Sequence, residues 1–223
     1  MPRIGVISLS DGRDHVHKGI ADFVRETEGQ LVTALGSGGH EVVRGSAPVS
    51  ANTPATSVAR ELEAAGVDLT VLHYCVWAFP HFTMLAAGAL SGPLVLVAHL
   101  DPVQPGMVGM LAAGGALDQI GRQHTRLWGS PPDVVAAIGV RAAGAAAVAK
   151  LRGSTFGRIG GRPMGMTTAV ANTDQWQRQF GVDVEEIDQW EIVRRAEAAD
   201  RWRSAGRASG WSGTRPSATT ASS

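Results

Sequence analysis

Asp11-Gly12-Arg13 closes the first apolar run of the chain. An arginine held there can fork two hydrogen bonds to hydroxyl or carboxylate oxygens. Taken alone, it is ordinarily a solvent-facing loop residue. Trp77-Ala78-Phe79-Pro80 follows a later apolar run. Its indole face can pack on the C–H face of a sugar, or it can equally be a core aromatic. Gly160-Gly161-Arg162-Pro163-Met164-Gly165-Met166 also follows a strand-like segment, and loops after parallel strands line the crevices where ligands bind. Gly36-Ser37-Gly38-Gly39 follows a helical pattern, so it reads as a helix stop and not as a phosphate loop. His15 and His17 are two apart near a helix start, where side chains diverge, and they read as polar surface or cap residues. His73, His99 and His124 lie at or near strand ends, where a satisfied structural imidazole is expected, and Cys75 reads as packing. No Ser-His-Asp signature, Walker loop, His-Glu-x-x-His or paired-carboxylate spacing is present.

The elements that must position these residues alternate regularly. Apolar runs at Arg3–Leu9, Glu41–Val43, Asp68–Tyr74, Pro93–Ala98 and Thr125–Trp128 read as strands. Helical spacing occupies 16–35, 55–65, 83–90, 107–117 and 134–151 between and after them. Such alternation predicts a Rossmann-like α/β fold, a parallel sheet with helices on both faces. The nearly all-apolar Pro93–Ala98 run is what a strand covered on both faces requires. At Gly153 the pattern restarts with strands at Thr155–Ile159 and Val182–Ile187, a short helix at Asp174–Phe180, and a helix from Asp188 to about Ala199. The expected domains are 1–152, a first α/β domain; 153–199, an incomplete second α/β domain; and 200–223, a disordered or frame-shifted tail. After Val193 there is no Val, Ile or Leu, and after Asp200 no acid, while Trp202 and Trp211 sit among Arg, Ser and Gly.

Composition narrows the classes. Twenty basic and twenty acidic residues in 223 give no net charge, which argues against a dedicated nucleic-acid partner. Of the basic residues only Lys18 and Lys150 are lysine, the usage of a GC-rich coding sequence. One cysteine excludes an internal disulfide framework and a cysteine-based zinc cluster. The opening residues lack a signal-peptide pattern, and no uninterrupted apolar run reaches the ~18 residues of a membrane span, so a cytoplasmic location without membrane contact is expected.

Several of these segments, in order, resemble the amino-terminal half of the L-fucose/L-arabinose isomerase family, particularly its shorter bacterial members. They are Asp11-Gly12-Arg13, Trp77–Pro80, the run Gly106-Met107-Val108-Gly109-Met110-Leu111-Ala112-Ala113, Gly161–Met166 and Asp174–Val184, and the likeness covers about residues 3–198. The resemblance implies a metal-dependent aldose–ketose sugar isomerase of carbohydrate metabolism. Manganese or a similar divalent ion polarises the substrate while carboxylates move a proton through an enediol. It implies an oligomer whose first domain reaches a neighbouring subunit's active site, with Arg13 and Trp77 contacting the monosaccharide and Met164 and Met166 lining the second domain's side of the pocket. The family's metal-binding Glu, Asp and His have no counterparts in this sequence. The expectation is therefore a fragment with no catalytic residue and no metal of its own, acting as a homo-oligomer or with a complementing catalytic half. Two other readings remain: a non-catalytic sugar-binding or oligomerisation remnant, and a free-standing small-molecule-binding Rossmann-like module, weakened by the absent glycine fingerprint.

Overall fold

Fully apolar strands and one-sided helices force a layered arrangement, and the computed structural model, which describes residues 1–208, has it. The chain divides into two compact units, Met1–Lys150 and a second that begins at Leu151. In the first, β1 (Arg3–Leu9), β2 (Glu41–Arg44), β3 (Leu69–Tyr74), β4 (Leu94–Ala98) and β5 (His124–Leu127) form one parallel sheet in the order β2-β1-β3-β4-β5. The order reverses between β1 and β3, the point at which crevices open at the carboxyl ends of strands.

Alternation along the strands assigns the two faces. Ile7, Leu72 and Leu96 sit side by side in register, and with Leu9, Tyr74 and Ala98 they meet α2 (Asn52–Ala64), α3 (Pro80–Gly88) and α4 (Gly106–Gln119). Ile4, Val6, Leu69, Val71, Val95 and Val97 point the other way, toward α1 (Asp14–Ser37) and α5 (Pro131–Leu151). Every residue of β3 and β4 is buried. Each fully buried aliphatic contributes about 1.5–3 kcal/mol, so these two strands are the thermodynamic centre of the unit.

The helix ends differ from the sequence expectation in a consistent way. α3 begins at Pro80 and α5 at Pro131, each three residues before its apolar spacing begins, because proline is pre-set for the first helical turn. Trp128 lies just past β5 and is exposed, since the strand stops before Gly129, whose φ is 133°. Gly36–Gly39 does end α1, with the Gly38 N–H donating to the Ala34 carbonyl at 3.0 Å and Gly39 at φ 81°. α5 is long and apolar enough to cross a membrane by length and composition, with a mean hydropathy of 1.7 over the span. Averaging admits it although Arg141 interrupts the run, and its Val134, Ile138 and Ala142 belong to the buried cluster on the sheet.

The second unit is an incomplete α/β layer. β6 (Thr155–Ile159) and β7 (Asp183–Ile187) pair in parallel through α6 (Thr173–Phe180), and α7 (Trp190–Ala208) follows. Asn172 caps α6 by accepting from the Gln175 N–H at 3.0 Å, and Gly181 at φ 66° ends it. Asp188 accepts from the Trp190 N–H at the start of α7. α7 continues through 200–208, beyond the boundary at 199 from which a disordered or frame-shifted tail is expected, because Ala and Arg are good helix formers even where no apolar face remains. The rest of the expected tail, including Trp211, lies outside the described residues.

Candidate functional site

Two loops build the carboxyl edge at the reversal point. The first leaves β1. An isolated bridge from Leu9 to Val49, with Ser10 N–H donating to the Val49 carbonyl at 2.8 Å, carries the strand's pairing to its last residue. Ser10 is buried and its hydroxyl is 2.8 Å from His17 Nδ1, so His17 ties the loop to the first turns of α1. His15 is exposed.

Asp11 is buried, and Arg13 wraps it. The Arg13 Nε and backbone N–H both donate to Asp11 Oδ1, at 2.9 and 2.8 Å, and Nη2 donates to Oδ2 at 2.6 Å. The guanidinium holds the Asp11 carboxyl below its usual range, chiefly through these hydrogen bonds. Arg13 itself stays exposed, with one edge of its fork spent on Asp11 and the remainder turned to solvent. An arginine pre-oriented in this way loses little rotamer freedom when it meets a hydroxyl-rich ligand.

The second loop leaves β3. Trp77 is half-buried and edge-on to Phe79, with ring centroids 6.4 Å apart. Phe79 continues into Phe82, edge-on at 5.8 Å, and lies parallel to the His81 ring at the same separation. The Phe79 ring occupies the space a side chain on Gly12 would need, so the Arg13 loop and the Trp77 loop touch at Gly12. Neighbouring strands thus bring Arg13 and Trp77 to one edge. Met164 and Met166 lie on the second unit, 89% and 43% exposed, and Met164 is the non-glycine residue with positive φ (47°) among the described residues.

Sequence reasoning missed what supports the Trp77 loop. Gly106 and Gly109 place the start of α4 against the backbone of that segment: an added Cβ would stand 2.5 Å from the Tyr74 carbonyl oxygen at Gly106 and 3.1 Å from the Val76 carbonyl oxygen at Gly109. The one available signal was the Gly-x-x-Gly spacing at a helix start.

The buried residues nearby are enclosed by the core. Tyr74 Oη pairs with Thr83 Oγ1 at 2.6 Å. Burial pushes the Cys75 thiol up to about 11, which keeps it protonated and inert near neutrality. His73 Nδ1 lies 3.1 Å from Ser8 Oγ, and burial, with the charge of His99 adding to it, pushes His73 down to about 3. The unfolded chain takes up a proton on this residue near pH 6.5 that the folded chain refuses until about pH 3, so stability must fall as pH falls through that interval. We expect roughly 2 kcal/mol lost between pH 6.5 and 5, at about 1.4 kcal/mol per unit for one proton. Urea unfolding at both pH values, compared with His73→Gln, checks it; parent and variant losing stability in parallel would refute it. Asp11 acts lower: its depressed carboxyl adds stability above the ordinary carboxylate range, lost as pH falls through the folded value.

The acidic groups at this edge do not suit a divalent ion. Asp11 is committed to Arg13, and Asp101 accepts from the Val103 and Gln104 N–H groups at 2.8 Å each. Among the described residues, no three His, Cys, Asp or Glu side chains gather where they could hold one.

A doubly wound parallel sheet with an arginine and an indole at its reversal-point edge defines an α/β domain of the Rossmann-like class. Residues 1–153 match the family model described as L-fucose isomerase, first N-terminal domain. The chain belongs to that family, a family of sugar isomerases, and the resemblance carried by the loops at Asp11 and Trp77 is correct. A search of curated proteins returned no match to the chain.

Proposed function

We propose that this chain supplies the sugar-contacting edge of an aldose–ketose isomerase and that the metal-bearing chemistry comes from another part of the assembly. The carrying observation is the contact of the two loops at Gly12 and Phe79, which sets Arg13 and Trp77 together at the carboxyl edge of adjacent strands. The half-buried Trp77 indole offers an apolar plane to the C–H face of a monosaccharide, and the outer edge of the Arg13 fork donates to ring or chain hydroxyls. Asp11 keeps Arg13 oriented and charged. The family membership favours this reading over a free-standing nucleotide-binding module.

In this proposal a divalent ion, manganese in the resemblance, would be held by the complementing half, where it would supply polarisation of the sugar carbonyl. Met164 and Met166, on the second unit, are the substrate-lining residues that the resemblance assigns there. The left-handed backbone at Met164 supports a constrained role there, since a side chain rarely adopts it without a reason. The assembly is a homo-oligomer or a complex with a catalytic half, and the protein works in the cytoplasm.

The expected result is no L-fucose or L-arabinose isomerisation by the purified chain with manganese, and turnover once a metal-bearing carboxyl-terminal half from a family member is added. In that mixture Arg13→Ala should lower kcat/KM about 10- to 100-fold, the loss of charged hydrogen bonds to substrate. Turnover by the chain alone would refute the division of labour. An unaltered kcat/KM in both Arg13→Ala and Trp77→Ala would refute the assigned edge.

A further inference from the structure

The α1/α5 side of the sheet holds a cavity of about 170 Å3 at the carboxyl ends of β3 and β4, and it includes none of the Arg13 and Trp77 loop residues. Leu31 and Ala34 from α1, Val97 from β4 and Val134 from α5 form its apolar walls; His73 and His99 add two imidazoles, Gln30 an amide, and Thr27 a hydroxyl that donates to the Phe23 and Val24 carbonyls. His73 is 2% exposed, and with Nδ1 beside the Ser8 hydroxyl its other ring nitrogen is the atom available to a ligand. His99 stands edge-on to it with centroids 6.5 Å apart, and edge-on to Phe23 at 6.0 Å, which stiffens that wall.

The lining selects a chemistry. It contains no Asp, Glu, Lys or Arg, so a charged ligand would lose hydration without a counter-charge. A sugar would leave most of its hydroxyls against aliphatic carbon. An apolar void of roughly 150 Å3 in another protein accommodates benzene, so this one has room for a single ring with a small substituent.

We propose that this cavity is a binding site for a neutral monocyclic aromatic bearing one hydroxyl, of the phenol class, its ring between α1 and α5 and its hydroxyl hydrogen-bonded to the His73 imidazole. The site stands independently of the sugar edge. The test is titration of the full chain with phenol, followed by calorimetry and by the imidazole carbon–proton resonances of His73. Saturable binding is expected with a dissociation constant on the order of 1 mM, as befits so small a ligand. Toluene, which keeps the ring and lacks the hydroxyl, should bind about 5- to 10-fold more weakly, the loss of one hydrogen bond. L-fucose should not displace phenol. Ala34→Leu, which adds aliphatic bulk to the wall, should weaken phenol at least tenfold. If that variant does not fold, the His73 resonances of the parent decide the matter. Absence of saturable phenol binding, or binding that leaves the His73 ring signals unmoved, overturns the proposal; so does displacement by L-fucose.

Discussion

Replacing Gly106 with alanine is expected to destabilise the first unit by about 3 kcal/mol, well beyond the usual effect of one added methyl group. The added Cβ would stand 2.5 Å from the Tyr74 carbonyl oxygen, 2.9 Å from the Cys75 carbonyl carbon and 3.1 Å from the Cys75 Cα. All three are backbone atoms, so no rotamer change relieves the overlap. Either α4 lifts from the sheet or the segment from Tyr74 to Trp77 shifts. Lifting α4 uncovers Met110, Ala113 and Leu117, all fully buried. A 3 kcal/mol loss corresponds to roughly 6–12 °C in Tm for a chain of this size. Gly115→Ala on the same helix is the control, because nothing lies within 4 Å of the added carbon and alanine is the better helix former. It should leave Tm unchanged or raise it slightly. If Gly106→Ala melted within 2 °C of the parent, the close packing of α4 on the Trp77 loop would be wrong. Because the shift falls on the segment carrying Trp77, the same variant should also lose sugar turnover in the complemented assay, at a temperature where it is still folded.

The second large effect is a difference in protection between the two units. Amides of β1, β3 and β4 should exchange with solvent at least roughly a thousandfold more slowly than those of β6 and β7. In the first unit these strands are buried throughout, apart from Arg3 at the start of β1, and are paired on both edges within a five-stranded sheet. Opening them requires loss of the whole core, the full several kcal/mol by which a domain is stable. Among the described residues β6 and β7 pair only with each other, and neither contains a buried residue. Val182 is the buried apolar residue among the described part of the second unit, at 6% exposure, while Phe156, Ile159, Trp190 and Ile192 are each more than half exposed. Two strands with so little enclosed surface open by local fluctuation. Hydrogen exchange read by mass spectrometry distinguishes the units directly, and limited proteolysis should cut first beyond Lys150. Equal protection in 155–187 and in β3 would show that the second unit is held by burial that its exposed side chains do not reveal.

Much of this was legible from residue order. The strands at Arg3–Leu9 and Pro93–Ala98 announced themselves as apolar runs, and Gly36–Gly39 as a helix stop, because each signal lies within a few neighbouring residues. The helix starts are harder to read: Pro80 and Pro131 carry no apolar periodicity and precede the expected starts at 83 and 134, although proline suits a first turn. The persistence of α7 to Ala208 was missed for a related reason, since apolar spacing had ended while helix propensity had not. At the site, the motifs that carried the family resemblance included both loops and the Gly106–Ala113 run, without revealing that the last exists to let a helix touch the backbone beneath Trp77.

Local pattern therefore settled the kinds of elements, their order along the chain and the α/β class, since periods of two and 3.6 residues are properties of contiguous segments. Folding in three dimensions decided that β3 passes β2 to lie beside β1, and with it that Gly12 meets Phe79 and Arg13 shares an edge with Trp77. It also decided that His73 is enclosed and neutral beside Ser8, 65 positions away in the chain. Such adjacency rests on contacts between distant segments, whose free energy is realised only when the sheet is assembled and water has left both of its faces.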